Sequence, residues 1–440
     1  MTTKPIFAYC SWCFQKTTHT LVERNMTRRN VYQCDRCGER TLQCRACNNM
    51  ARGGKWDDEF CAEHNGEIGS FARLDMKIND ITDYDLLLKR DSVNLKRVGT
   101  ISAVALGGAV VLGPAAFAAA PAIGGAVGAG ALGLSGAAAS SAGLAAIGGG
   151  AIAAGGLGMA GGAAIVGATG AALGGTLGGV VSNAYFREVK GFSIELMKQG
   201  EAPGVICIDG FLTEKNPEPT DWKTALSKLY PNNAWYYVRW ESKRLYDLGK
   251  MIIDAGGKEA AIKLIKRWAA RALKQTGKKL GPLSGAMLAM GIAANPWSIA
   301  MMKAGQTGVL LADILARTDS QYILCGHSLG ARVIHYALKN LSTKENRFVD
   351  TSHLLGGAVG NKEGAWTKAS EASANGIRNY FSKDDWILAS FYKTGAFFCS
   401  TPIGRNPIKS NGGPIQNYDV SGMVGGHTKF KKHFHEFAQV

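Results

Sequence analysis

Residues 98–186 run for 89 positions without one Asp, Glu, Lys, Arg or His. Nothing else limits the fold of this 440-residue chain so strongly, because a segment with no charged side chain must either pack tightly or lie in lipid. Twenty-five of the 57 glycines fall here, and most of the remainder is Ala, Leu, Val and Ile. A flexible linker would be polar and rich in Gly and Ser, whereas Leu, Ile, Val, Met and Phe recur throughout this tract. Small residues return at helical spacing, as at Gly124 and Gly128 and again at Gly170, Gly174 and Gly178. That spacing lets helix backbones approach closely, which is how helices associate in a bilayer.

A spanning helix takes about 20 residues, so the tract has the length of two hairpins. Pro114, Pro121 and the polar SSAG at 140–143 supply turns. Lys89, Arg90, Lys96 and Arg97 precede it and Arg187 and Lys190 follow it. Basic flanks stay on the cytoplasmic side, so the number of spans is even and both neighbouring domains are cytoplasmic. The expectation is a helical, membrane-associated glycine zipper over residues 98–186. Its rival is a soluble glycine-zipper bundle that inserts only on cue. The net charge of +16 suits an acidic partner, nucleic acid or an anionic lipid surface.

The opening MTTKPIFAYCSWC has no apolar h-region, so no cleavable signal peptide is expected. Seven of the ten cysteines lie between Cys10 and Cys61, which reads as thiolate ligands in a reducing compartment rather than a disulfide framework. They form the knuckles Cys10-x-x-Cys13, Cys34-x-x-Cys37 and Cys44-x-x-Cys47, and a fourth is Cys61-x-x-His64. Zn²⁺ takes four soft or borderline ligands in a tetrahedron, and a two-residue gap turns both members of a knuckle toward one metal. Eight ligands therefore make two closed structural zinc sites. The simplest pairing is sequential, Cys10, Cys13, Cys34 and Cys37 and then Cys44, Cys47, Cys61 and His64; a cross-braced pairing uses the same residues. THTLVERNMTRRNVYQ, between the first two knuckles, reads as a hairpin, as a zinc ribbon requires. Closed sites leave no position for catalysis. The module, residues 1–66, reads either as a docking site for protein or nucleic acid or as a metal-stapled mini-domain that merely folds. Sixteen basic against 13 acidic residues over 1–97 argue against nucleic acid as its partner. Residues 67–97 read as a charged, helical connector.

From about residue 187 the composition is that of an ordinary globular domain. The apolar runs GVICIDGF, AWYYVRW, YILCG, SHLLGGAVG and GIRNYFS alternate with helical stretches, the pattern of a mostly parallel α/β sheet. ILCGHSLGAR places Ser328 between Gly326 and Gly330. A chain with 57 glycines produces such a pattern readily by chance, so its surroundings must carry the reading. YILC supplies a strand and ARVIHYALKNL a helix, the strand-to-helix turn on which a nucleophile elbow exposes its serine. The elbow predicts the chain order serine, acid, histidine. GIRNYFSKDDWIL is a strand ending in carboxylates; Asp385 is preferred as the acid, with Asp384 the alternative. His427, in a Gly-rich loop before the final helix, is the expected base. His433 and His435 read as surface residues, His353 as a structural residue at a strand start, and His327 and His335 as neighbours of the nucleophile. The oxyanion hole calls for two N–H groups: one from Leu329, the other from the loop after GVICID, at Phe211 or Leu212.

GKEAAIKLIKRWAARALKQTGKKL, residues 257–280, reads as a basic amphipathic helix, suited either to an anionic membrane or to a solvated surface. The uncharged stretch that follows, through Met302, reads as a buried helix pair or a lid.

The chain resembles domain-of-unknown-function family 726, membrane-associated α/β-hydrolases that include transmembrane and coiled-coil proteins and lipases. The resemblance runs from about residue 95 to 435 and rests on the tract before ICIDGFL, on NPWSIAMMKAGQTGVLLADIL leading to GHSLGARVI, on NYFSKDDWIL and on DVSGMVGGHTKF. It implies an α/β-hydrolase domain over 187–440 and an ester hydrolase whose triad falls on Ser328, Asp385 and His427. Lipids are the implied substrate class, with the bilayer as partner and no cofactor for the chemistry. The zinc module lies outside the resemblance. Two other classes fit the same residues: a membrane-permeabilising, toxin-like protein acting through the glycine tract, and a scaffold with an inactive hydrolase fold.

Overall fold

The computed structural model describes residues 5–88, 189–210, 219–240, 259, 260, 263 and 296–438, apart from short stretches within them. The glycine-alanine tract, Phe211, Leu212 and almost all of the basic stretch at 257–280 lie outside the described residues. Among the described residues no helix is long and apolar enough to cross a membrane. The chain divides into two compact units.

The first unit is a five-stranded antiparallel meander: β1 (Ile6–Tyr9), β2 (Lys16–Glu23), β3 (Val31–Cys34), β4 (Arg40–Gln43) and β5 (Met50–Arg52). The hairpin expected between the first two knuckles is β2–β3. Its core is small, with Phe14, Cys44, Ala46, Cys61 and Ala62 closed over by Ile68, Phe71 and Leu74. Those last three come from the stretch read as a connector, and the ring of Phe71 stacks on Tyr9 at 5.0 Å. So few apolar side chains precede residue 66 that the module recruits the following turns to complete its core. The connector is also 3₁₀ rather than α-helical where it is described, at Phe71–Arg73 and Ile81–Leu88.

The second unit is a seven-stranded sheet. Its strands are β6 (Ser193–Lys198), β7 (Glu201–Ile208), β8 (Asn233–Arg239), β9 (Tyr322–His327), β10 (Val349–Leu355), β11 (Ile377–Phe381) and β12 (Ile415–Asp419). They lie in the order β12-β11-β10-β9-β7-β8-β6. All pairs are parallel except β6–β8 at one edge. The five expected strands are present; the two edge strands, half-exposed and mixed in polarity, were not read from the sequence. The last five residues of β7 and all of β9 are buried, which is why they read as unbroken apolar runs.

Helices cover both faces. Val205, Cys207, Trp235, Tyr237, Cys325 and Tyr380 pack on one side against α1 (Thr220–Leu229) and the C-terminal α6 (Phe430–Phe437). Residues alternating with them face the other side, where α3 (Leu329–Leu341) packs on β9 and β10. α2 (Pro296–Ala316) and α4 (Glu363–Glu371) pack on α3, so α3 is buried almost all round. Pro296 begins α2, the helical position at which its missing N–H costs nothing. Most of the uncharged stretch read as a buried helix pair or a lid, up to residue 295, lies outside the described residues, and its last residues, from Pro296, belong to α2. α5 (Trp386–Lys393) follows β11.

From β7 the chain adds β8 on one side and later β9 on the other. Loops leaving the two strands diverge at such a switch point, opening a crevice at the carboxyl ends where ligands bind in open α/β sheets. Gly210 follows β7 and Ser328 follows β9.

Candidate active site and metal centres

The eight predicted ligands form two groups, Cys10, Cys13, Cys34 and Cys37, and Cys44, Cys47, Cys61 and His64. This is the sequential pairing. The ligand atoms of each group lie within 4.8 Å of one another, with Sγ–Sγ separations of 4.0 Å for Cys10–Cys37, 3.9 Å for Cys13–Cys34 and 3.6 Å for Cys47–Cys61. Sulfurs at the corners of a tetrahedron around Zn²⁺ stand about 3.8 Å apart, from a Zn–S bond of about 2.3 Å. His64 turns Nδ1 to the second group, 3.3 Å from the Cys61 sulfur. Backbone N–H groups of Trp12, Ala46, Asn49 and Cys61 point at the sulfurs of Cys10, Cys44, Cys47 and Cys44 respectively. Such donors support thiolates and fix their direction. The donor sets fit tetrahedral metal ions and leave no open ligand position.

In the second unit Ser328 joins β9 to α3 with φ +58° and ψ −118°, a strained conformation for a residue with a Cβ. The surroundings hold it there: its N–H donates to the Leu355 carbonyl at 3.0 Å, and its carbonyl accepts from Ala358 at 2.9 Å. The flanking glycines are required by close approach. A Cβ on Gly326 would stand 2.8 Å from the Ala331 nitrogen, and one on Gly330 2.0 Å from the Ile208 carbonyl oxygen. The Ser328 hydroxyl does not cap its own helix; it lies 2.8 Å from Nε2 of His427.

Nδ1 of His427 in turn lies 2.6 Å from Oδ2 of Asp385. The other oxygen of Asp385 accepts the N–H of Leu388 at 3.0 Å, so this aspartate is also the N-cap of α5. Asp384 is exposed. His427 heads a short 3₁₀ turn, His427–Lys429, that runs into α6. Its backbone carbonyl accepts from Nε2 of His327 at 2.8 Å. Burial holds His327 well below the ordinary histidine range, so it stays neutral beside His427.

The elbow serine was expected to be exposed; Ser328, His427 and Asp385 are instead all buried, at 0%, 1% and 0% exposure. The covering segments come from far along the chain, at Gly210, Leu355 and Ala358. A Cβ on Gly210 would lie 2.9 Å from Ser328 Oγ, so the turn after β7 abuts the nucleophile position. The Leu329 N–H opens α3, where no carbonyl of its own helix is available to it. Phe211, expected to supply the second donor, lies outside the described residues. A hydroxyl, imidazole and carboxylate in this sequence can pass a proton from oxygen to Nε2 while the carboxylate fixes the ring and its tautomer.

The other histidines lie apart from this relay. His353 sits within β10 rather than at its start, buried between the hydroxyls of Tyr230 and Tyr380 at 2.8 and 3.1 Å. His335 packs on Trp366, His433 contacts Glu436 and His435 contacts Lys228. Two residues absent from the sequence reading stand close behind the site, Asp209 and Lys431.

An uncharacterized membrane protein of Schizosaccharomyces pombe is 30% identical over 249 residues, 54% of this chain and 42% of that protein. The transmembrane and coiled-coil domain-containing protein STS1 of rice is 29% identical over 283 residues, 60% of this chain and 40% of that protein. The probable lipase MIL1 of Saccharomyces cerevisiae is 29% identical over 145 residues, 32% and 13% of the two chains. The chain thus spans less than half the length of these curated relatives. The model of a protein family of unknown function, DUF726, matches residues 93–440, which takes in the tract and the whole seven-stranded unit and leaves out both metal centres. This chain belongs to the DUF726 family.

Proposed function

We propose that this chain is a membrane-associated serine hydrolase of the α/β-hydrolase type that cleaves lipid esters. The observation that carries the reading is the relay Ser328–His427–Asp385, with contacts of 2.8 and 2.6 Å, on an elbow strained at φ +58°. The name of the yeast relative, a probable lipase, and those of the membrane-protein relatives point the same way.

In the resting site Nδ1–H of His427 donates to Asp385 and bare Nε2 accepts the Ser328 hydroxyl proton. Ser328 Oγ attacks the ester carbonyl carbon as its proton passes to Nε2, and the imidazolium that forms is held by the Asp385 carboxylate. The oxyanion takes the Leu329 N–H and one from the turn after Gly210. The C–O bond to the alcohol breaks, and Nε2 returns the proton to the leaving oxygen. Water then repeats the sequence on the acyl-enzyme and releases the fatty acid. The two closed four-ligand sets would hold Zn²⁺, which would supply folding energy to the N-terminal module, and the tract at 98–186 would hold the domain at the bilayer.

The test is labelling by a fluorophosphonate probe and hydrolysis of a medium-chain ester by wild type and Ser328→Ala. Wild type should take the label and turn over, and Ser328→Ala should do neither. Ester hydrolysis that survives in Ser328→Ala sinks the reading. A wild type that stays unlabelled favours a scaffold, and dye leakage from liposomes undiminished in Ser328→Ala favours membrane permeabilisation.

A further inference from the structure

Asp209 is a buried carboxylate that the reaction above does not use, and its four partners reach it from three parts of the fold: α1, the end of β8 and α6. Its Oδ1 accepts the indole N–H of Trp222 from α1 at 3.0 Å. Its Oδ2 accepts the Tyr237 hydroxyl from β8 at 2.9 Å. The ammonium of Lys431, from α6, stands 3.2 Å from both oxygens. Its backbone carbonyl accepts the indole N–H of Trp240 at 3.0 Å. The Lys431 and Asp209 side chains are only 8% and 7% exposed.

Each half of the pair is close in sequence to a residue at the site. Asp209 precedes Gly210, whose backbone abuts Ser328. The carbonyl of residue 209 and the N–H of residue 210 share one rigid peptide plane, so the Trp240 bond fixes the direction of that N–H. Lys431 lies four residues after His427, one helical turn along. The pair therefore ties the oxyanion-side turn to the segment that carries the base. α6 does not need it for anchorage, because Phe430, Phe434 and Phe437 already bury that helix against the sheet. A desolvated ion pair contributes little stability beyond what apolar side chains of the same size would give, but it does fix relative geometry.

We propose that Asp209 and Lys431 are positioning residues, a buried ion-pair clamp that holds the turn at Gly210 and the ring of His427 in register across Ser328. This rests on the serine-hydrolase reading.

The experiment uses the full chain. kcat and KM on a medium-chain nitrophenyl ester are normalised to active sites titrated with fluorophosphonate, and thermal stability is followed alongside. Lys431→Met should lower kcat per labelled site by about 100-fold, the scale of a 1 Å misplacement, with KM held within about threefold. Lys431→Arg, which can still pair with the carboxylate, should recover kcat to within about tenfold of wild type. As a control, Arg317→Met breaks the ion pair to Asp313 at the far end of β9, roughly 20 Å from Ser328 along the strand. It should lower the melting temperature and leave kcat unchanged. Should Lys431→Met fail to fold, Tyr237→Phe removes one donor and no charge, and should lower kcat by about tenfold. A kcat within about threefold of wild type in Lys431→Met, or in Tyr237→Phe where that variant stands in, overturns the clamp alone. A wild type that neither takes the label nor hydrolyses the ester removes the serine-hydrolase reading and the clamp with it.

Discussion

Gly210→Ala is the smallest change that asks whether the turn after β7 belongs to the site. The added methyl would stand 2.6 Å from the Leu329 nitrogen, 2.7 Å from Ser328 Cβ and 2.9 Å from Ser328 Oγ. Unstrained contacts to carbon lie at about 3.5 Å, so turn and elbow must part by close to 1 Å. None of these three neighbours is the end of a flexible chain that could swing aside: one is backbone, and the other two belong to a serine held in its strained conformation by Leu355 and Ala358. Overpacking of this kind costs about 1–3 kcal/mol, which in a domain of this size lowers the melting temperature by roughly 2–12 °C. The kinetic cost should be larger than the thermal one suggests, about 100-fold in kcat/KM, because a 1 Å displacement of donors or nucleophile is felt in the transition state. Steady-state hydrolysis of a medium-chain ester and a thermal melt on the same preparation read both quantities. A variant that loses stability but keeps kcat/KM within about threefold would show that the strain relaxes away from the reacting atoms, and would refute the placement of this turn at the oxyanion.

Asp385→Asn should lower kcat by about 10⁴-fold through the wrong histidine tautomer, while Asp384→Asn, at an exposed position, should stay within about twofold; steady-state rates for the two variants decide which aspartate is the acid. Protein purified without chelator should carry two zinc ions per chain by elemental analysis, and Cys34→Ser should unfold the N-terminal module while leaving esterase activity in place. Removing residues 98–186 should move the protein from the membrane pellet to the soluble fraction, and full-length protein that stays soluble without detergent and ignores liposomes would favour the soluble bundle. Burial pushes His353 down from 6.5 to about 3, so between those values the unfolded chain binds a proton that the folded one refuses. Stability present above pH 6.5 is then lost as the pH falls toward 3, by about 2 kcal/mol at pH 5; denaturant melts at pH 8 and pH 5 measure it, and a smaller drop is expected once His353 is replaced by Gln.

What was legible in the sequence was what is local. Each metal knuckle spans four residues, so its members face one metal whatever the rest of the chain does. Pairing between knuckles was open until the meander set β2 beside β3 and brought Cys13 within 3.9 Å of Cys34. The elbow is likewise one strand, one turn and one helix. The edge strands β6 and β12 were missed because SIELMK and IQNYD are half-exposed and mix polar with apolar residues, which leaves no clean period of two. Asp385 over Asp384 had a local signal that helix-capping rules make readable: an aspartate just before Trp-Ile-Leu can take the N–H of Leu388 as an N-cap, and its neighbour cannot. Burial of Ser328 had none, since the segments that cover it come from residues 210, 355 and 358.

The Asp209–Lys431 pair spans 222 positions, a separation at which periodicity says nothing about contact. Each half nevertheless carries its own anomaly. In HTKFKKHFHEF the positions 427, 430, 431 and 434 share one helical face, and three of them are His427, Phe430 and Phe434. Lys431 is therefore a cation on an apolar stripe, while Lys432 beside it is exposed. In GVICIDG an unbroken apolar strand ends in a carboxylate at Asp209. A charge placed where burial is expected must be neutralised by a partner that is also buried. Two such charges of opposite sign, one beside the glycine that abuts Ser328 and one a turn after His427, satisfy each other, and in the proposed mechanism that satisfaction couples the oxyanion turn to the base.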